Sequence, residues 1–167
     1  MFHLNTSLLT CVYYILVNNT TNNRNSSTVL GLSLANIAHA AEALSVNLQA
    51  KQIVTENGKQ VLKTVNRANS GDVIQYQAIY RNNIQKPMTD LALTLPVPAN
   101  MVYVSSSSPA PTQASLDGKK FENLPIMRKV NGKMVEVPVS QYRALRWIVK
   151  TLPAQQSTTV SINTKVQ

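Results

Sequence analysis

From residue 44 onward the apolar positions recur every second residue. Leu44, Val46, Leu48 and Ala50 are separated by Ser45, Asn47 and Gln49, the signature of a half-buried strand. Asn57-Gly58 follows with the chemistry of a type I′ turn, whose two central residues both need positive φ, and Gln60 to Val65 is the expected returning strand. After a turn at Ser70-Gly71-Asp72, Ile74, Tyr76, Ala78 and Tyr80 form a second alternating set aimed at a core. Asn82 to Pro87 reads as a loop, and Leu91, Leu93 and Leu95 as the inward face of the next strand, ended by Pro96 and Pro98 because proline cannot donate to a ladder. Met101 to Val104 predicts a short strand and Ser105 to Pro111 a Ser/Pro loop. Further turn dipeptides stand at Asp117-Gly118 and Asn131-Gly132, the second between Val130 and Met134-Val135-Glu136-Val137. The last strands are Leu145 to Val149 and the alternation Thr158, Val160, Ile162, Thr164, Val166. No helical period competes with these. The expected fold class is all-β, a sandwich of short strands with Gly, Asn and Pro between them. Trp147 is its expected core anchor.

Residues 1–40 are of another kind. An Asn/Thr/Ser cluster from Asn18 to Thr28 includes Arg24 and precedes the apolar stretch Val29 to Ala38, then Ala38-His39-Ala40, a small-x-small site for signal peptidase. The apolar stretch is shorter than the roughly 20 residues a membrane anchor needs. Residues 1–40 therefore read as a signal peptide with an over-extended N-terminus, cut after Ala40 or alternatively after Ala43, leaving one domain over 41–167. The competing structural reading is an amphipathic N-terminal helix docked on the domain. Leu8-Leu9-Thr10-Cys11 has the outline of a lipoprotein box, but Thr10 stands where Gly, Ala or Ser is usual. The Asn-x-Ser/Thr triplets at Asn5, Asn18, Asn19 and Asn25 all precede the cut.

That cut has a chemical consequence. His3, His39 and Cys11 all lie upstream of it, so the remaining domain would hold no His and no Cys. Metal sites favour those residues or clustered carboxylates, and Glu42, Glu56, Asp72, Asp90, Asp117, Glu122 and Glu136 are scattered. Ser105 to Ser108 have no histidine to activate them, and a Ser–Lys pair is the one nucleophilic arrangement left open. Neither enzymatic activity nor a small-molecule cofactor is expected.

The 167 residues carry 16 Lys+Arg against 7 Asp+Glu, a net charge of +9, which favours anionic neighbours. The candidate contact region is the excursion from Lys119 to Arg146, with Lys119, Lys120, Arg128, Lys129, Lys133, Arg143 and Arg146. Its bland alternative is a solvated hairpin with ordinary lysines. No dense basic stripe or nucleic-acid motif accompanies these residues.

Lys63-Thr64-Val65, Ser70-Gly71-Asp72-Val73-Ile74-Gln75-Tyr76, Arg81-Asn82-Asn83 and Leu95-Pro96-Val97-Pro98 occur in that order, and the chain closes with Trp147 to Ala154 and an alternating Thr/Val strand. Together these resemble the bacterial surface-repeat family called domain of unknown function eleven, over about residues 63–166. The resemblance implies an immunoglobulin-like β-sandwich in exported bacterial proteins, with no enzyme activity and no functional residues to carry over. Two departures stand out: a single copy is present, and Phe121 to Tyr142 is longer than the usual connection. The expected function is an exported structural or interaction module of the cell envelope, periplasmic or at the surface. Its expected partner is an envelope or surface protein. The alternative is a binder of nucleic acid, acidic polysaccharide or lipid head groups through the basic face at 119–146. The domain is expected as a monomer or as a weak homo-oligomer joined through a sheet edge.

Overall fold

The computed structural model describes residues 2–3 and 43–167. The cut after Ala40, Cys11, His39 and the Asn-x-Ser/Thr triplets lie outside the described residues. Phe2–His3 (β1) forms a two-residue antiparallel ladder with Arg67–Ala68 (β4). Between them in sequence run β2 (Leu44–Glu56) and β3 (Lys59–Thr64), a long hairpin closed by Asn57-Gly58. Both turn residues have positive φ, 51° and 74°, as a type I′ turn requires. The returning strand ends one residue before Val65, which is half-buried against the core.

The chain continues through β5 (Val73–Asn82), β6 (Met88–Pro96), β7 (Met101–Ser108), β8 (Gln113–Ser115) and β9 (Phe121–Asn123). A second hairpin, β10 (Met127–Val130) and β11 (Lys133–Glu136), precedes a 3-10 turn at Val139–Gln141, the only helical element among the described residues. The last strands are β12 (Ala144–Leu152) and β13 (Ser157–Val166). The molecule is all-β.

Two sheets carry the core. One has five strands in the order β3-β2-β5-β13-β7, the other four in the order β6-β12-β8-β9. Ile74, Tyr76, Ala78, Tyr80, Val160 and Ile162 from the first pack with Leu93, Leu95, Ala114, Leu145 and Trp147 from the second in one buried cluster. The sheets therefore pack on each other through the alternating faces that the sequence predicts. Trp147 is 3% exposed, and its indole N–H donates to the Pro109 carbonyl at 2.8 Å.

Two expected loops are partly strand. Asn82 ends β5 rather than opening a loop, and it is fully buried. Its Nδ2 lies within hydrogen-bond reach of the carbonyls of Lys86 (2.8 Å), Pro153 (3.0 Å) and Leu152 (3.1 Å), while its Oδ1 accepts from the Ile84 N–H (3.0 Å). One side chain thus fastens two of the crossings between sheets, β5 to β6 and β12 to β13. The second correction is β7, which extends through Ser108 rather than stopping at Val104. Its ladder with β13 jumps from Tyr103 opposite Thr164 to Ser106 opposite Asn163, so Val104 and Ser105 form a bulge, with Ser105 at φ 57°. Strands β8 and β9, flanking Asp117-Gly118, are too short to show alternation in the sequence.

Candidate functional site

The excursion from Lys119 to Arg146 begins in the five-residue connection between β8 and β9. Asp117 caps it: its Oδ1 accepts from the Lys119 and Lys120 N–H groups, each at 2.8 Å, and from the Ser115 hydroxyl at 2.9 Å. Those bonds to the charged form hold the carboxyl down to about 2. Asp117 is thereby a turn residue, and the chain direction it fixes turns Lys119 and Lys120 outward, where both are exposed.

Beyond β9 the chain enters the β10–β11 hairpin. Its root is fixed in the core: Ile126 and Val137 are buried, and the Val137 N–H donates to the Ile126 carbonyl at 2.8 Å. Beneath them Tyr142 is buried and stacks on Tyr103 of β7, with ring centroids 6.3 Å apart. Above that root every residue from 127 to 136 is exposed. The turn is again type I′, with Asn131 at φ 49° and Gly132 at φ 81°.

Register sorts the hairpin side chains onto two faces. Met127 faces Glu136 and Lys129 faces Met134 on one side; Arg128 faces Val135 and Val130 faces Lys133 on the other. Each face thus presents two large apolar residues to solvent. Met134 is 61% exposed, Val130 52%, Val135 48% and Met127 37%.

The seven candidate cations do not form one uniform patch. Arg128 makes a two-pronged ion pair with Glu122 of β9, Nη1 to Oε2 at 2.8 Å and Nη2 to Oε1 at 2.5 Å. Hydrogen bonding to Arg128 is the first cause that lowers the Glu122 carboxyl, and the same bond raises the guanidinium. Arg146 lies on the outer face of the four-stranded sheet, its guanidinium 3.5 Å from the Phe121 ring centroid and its Nε donating to Thr94 Oγ1 at 3.3 Å. Its partial burial lowers its pKa. Lys119, Lys120, Lys129, Lys133 and Arg143 are exposed, and none of them forms an ion pair among the described residues. Of the five, Lys129 and Lys133 share the hairpin, whereas Arg143 follows the 3-10 turn. The sequence did not single out Phe121 and Glu122, which hold two of the candidates; only the fold places β9 beside them.

Among the described residues no group of three His, Cys, Asp or Glu side chains could hold a metal ion, and no helix is long and apolar enough to cross a membrane. No protein-family model matches the chain, and neither does any curated protein or solved structure compared with it.

Proposed function

We propose that residues 41–167 are an exported, non-enzymatic interaction module of the bacterial cell envelope, built on an immunoglobulin-like sandwich, with the β10–β11 hairpin as its contact element. The observation that carries this reading is the contrast at positions 126 and 127. Ile126 and Val137 anchor the hairpin in the core, while the ten residues between them are all exposed. An isolated two-stranded ribbon is marginally stable in water, and exposed apolar groups on it mark a contact surface. The motif order from Lys63 to Val166 supports the immunoglobulin-like assignment, and the small-x-small site before Ala41 supports export.

The test combines fractionation with intact-mass measurement, then repeats it on a chain in which Met127 to Glu136 are replaced by two glycines. Val137 is retained because it packs in the core. Export predicts a chain starting at Ala41 in the periplasmic or surface fraction. The contact role predicts that the shortened protein folds yet leaves the envelope fraction. A mature chain starting at Phe2 would overturn the first claim, and unchanged association the second.

The exposed lysines favour a second reading, a binder of anionic polymers. Its mark is affinity falling steeply with salt, by a log–log slope of about −0.9 for each DNA phosphate neutralised. Binding that ignores salt would exclude it.

A further inference from the structure

We infer that the β10–β11 hairpin docks on anionic lipid, lying in the head-group layer with Met127, Val130, Met134 and Val135 in contact with the upper acyl chains. The inference rests on the hairpin being the contact element and names its partner. Three observations select this occupant. The apolar residues stand on both faces of a ribbon one strand thick, two on each. A flat protein surface covers one face and leaves the other wet, whereas a lipid interface surrounds the ribbon and covers both. Second, Lys129 and Lys133, which form no ion pair among the described residues, alternate with these residues, while Arg128 is held by Glu122 of β9 and the hairpin's own acid, Glu136, sits at the root opposite Met127. Long cationic side chains can keep their charge among phosphates while their stems lie along apolar surface. Third, the other occupants fit less well. A second copy would bring together basic chains, since all the charged residues behind the +9 except Arg24 lie within residues 41–167. Nucleic acid would gain from the lysines, but the hairpin has no aromatic ring on which bases stack, and its Met and Val would remain exposed.

The backbone sets the depth. Among the described residues, neither outer edge of this two-stranded sheet has a neighbouring strand. Unpaired N–H and C=O groups are costly in hydrocarbon, so the hairpin stays at head-group level and does not span. Each lysine near an anionic surface strengthens partition about fivefold, the equivalent of about 1 kcal/mol.

The full chain carrying Val130→Trp, mixed with vesicles of equimolar phosphatidylglycerol and phosphatidylcholine, tests this directly. Position 130 is exposed, and the native Trp147 is shielded in the core as an internal reference. Brominated acyl chains should quench the added indole, more strongly when bromine is near the ester than near the methyl end. Quenching should vanish on pure phosphatidylcholine. Adding Lys129→Gln and Lys133→Gln should weaken partition about twenty-five-fold, two steps of about fivefold. Absence of quenching at saturating anionic lipid overturns the inference, as does equal quenching on neutral vesicles. If quenching is absent while hairpin excision still releases the protein from the envelope fraction, lipid is excluded and the hairpin's contact role stands with a protein or polysaccharide partner. If excision also has no effect, both fall.

Discussion

Tyr76 and Tyr80 lie on the same inward face of β5, and their hydroxyls meet different fates. The Tyr80 hydroxyl donates to the Thr94 carbonyl on the opposite sheet at 2.7 Å, and burial pushes its pKa up to about 12. The Tyr76 hydroxyl is buried with no hydrogen-bond partner among the described residues, and desolvation raises its pKa further. An unsatisfied buried hydroxyl costs roughly 1–3 kcal/mol, whereas a satisfied one contributes about 1 kcal/mol. Tyr76→Phe should therefore leave stability unchanged or raise it by about 1 kcal/mol, and Tyr80→Phe should lower it by about as much; urea unfolding of the two variants measures both. Asp117 supplies a pH marker at the same scale. Its carboxyl titrates at about 2 in the folded chain against an ordinary value near 3.8, so the turn it caps is favoured above that ordinary value and loses this support as pH falls toward 2. The amide shifts of Lys119 and Lys120 should follow one titration with a midpoint near 2, and a midpoint near 4 would show that the caps are not formed.

Two hairpins share one turn chemistry and differ in what the turn supports. Asn57-Gly58 closes β2 onto β3 at the margin of the five-stranded sheet, and β2 contributes Leu44, Val46, Leu48 and Ala50 to the core. Asn131-Gly132 closes a ribbon whose residues are all exposed and whose Arg128 reaches Glu122 of β9. A side chain at either glycine meets no atom within 4 Å, so the penalty is the left-handed backbone alone, about 1–2 kcal/mol. Gly58→Val should lower global unfolding free energy by about that amount. Gly132→Val should leave the melting temperature unchanged and raise amide exchange only across residues 127–136. Equal global losses would show that the second hairpin belongs to the folding core. Strands β2, β5 and β13 were legible because alternation continues over seven or more residues. Strand β7 was half-legible: four consecutive serines carry no polarity contrast, so pairing with β13 alone extends it to Ser108.

At the scale of the whole molecule, side-chain hydrogen bonds tie crossings between the sheets. Asn82 fastens two crossings and Trp147 a third, its indole N–H reaching Pro109 in the connection from β7 to β8. Trp147→Ala removes that bond and opens a cavity between the sheets. The expected loss is about 3–5 kcal/mol, which lowers the melting temperature by roughly 10–20 °C for a domain of this size. A thermal melt that does not move would show that the inter-sheet core tolerates the cavity. The charge excess acts at this scale too, since +9 on one chain opposes self-association and favours anionic surroundings.

Legible in the sequence alone were the all-β class, the inward faces of the long strands, the type I′ turn at Asn57-Gly58, the turn at Asn131-Gly132 and the burial of Trp147. Each follows from local rules, period-two alternation and the positive φ that Asn-Gly accepts. Which sheet each strand joins was decided only by tertiary structure, because alternation gives a strand's inward face but not its neighbours. The same holds for Asn82, a polar residue that the sequence places in a loop and the fold buries where two crossings converge. The basic excursion divides along this line. Its lysines and arginines are countable in the sequence, but Arg128 meets Glu122 and Arg146 covers Phe121 only because β9 is brought beside them. The apolar residues of the second hairpin are exposed for the same tertiary reason: the core closes at Ile126 and Val137, one residue before the ribbon begins and one after it ends.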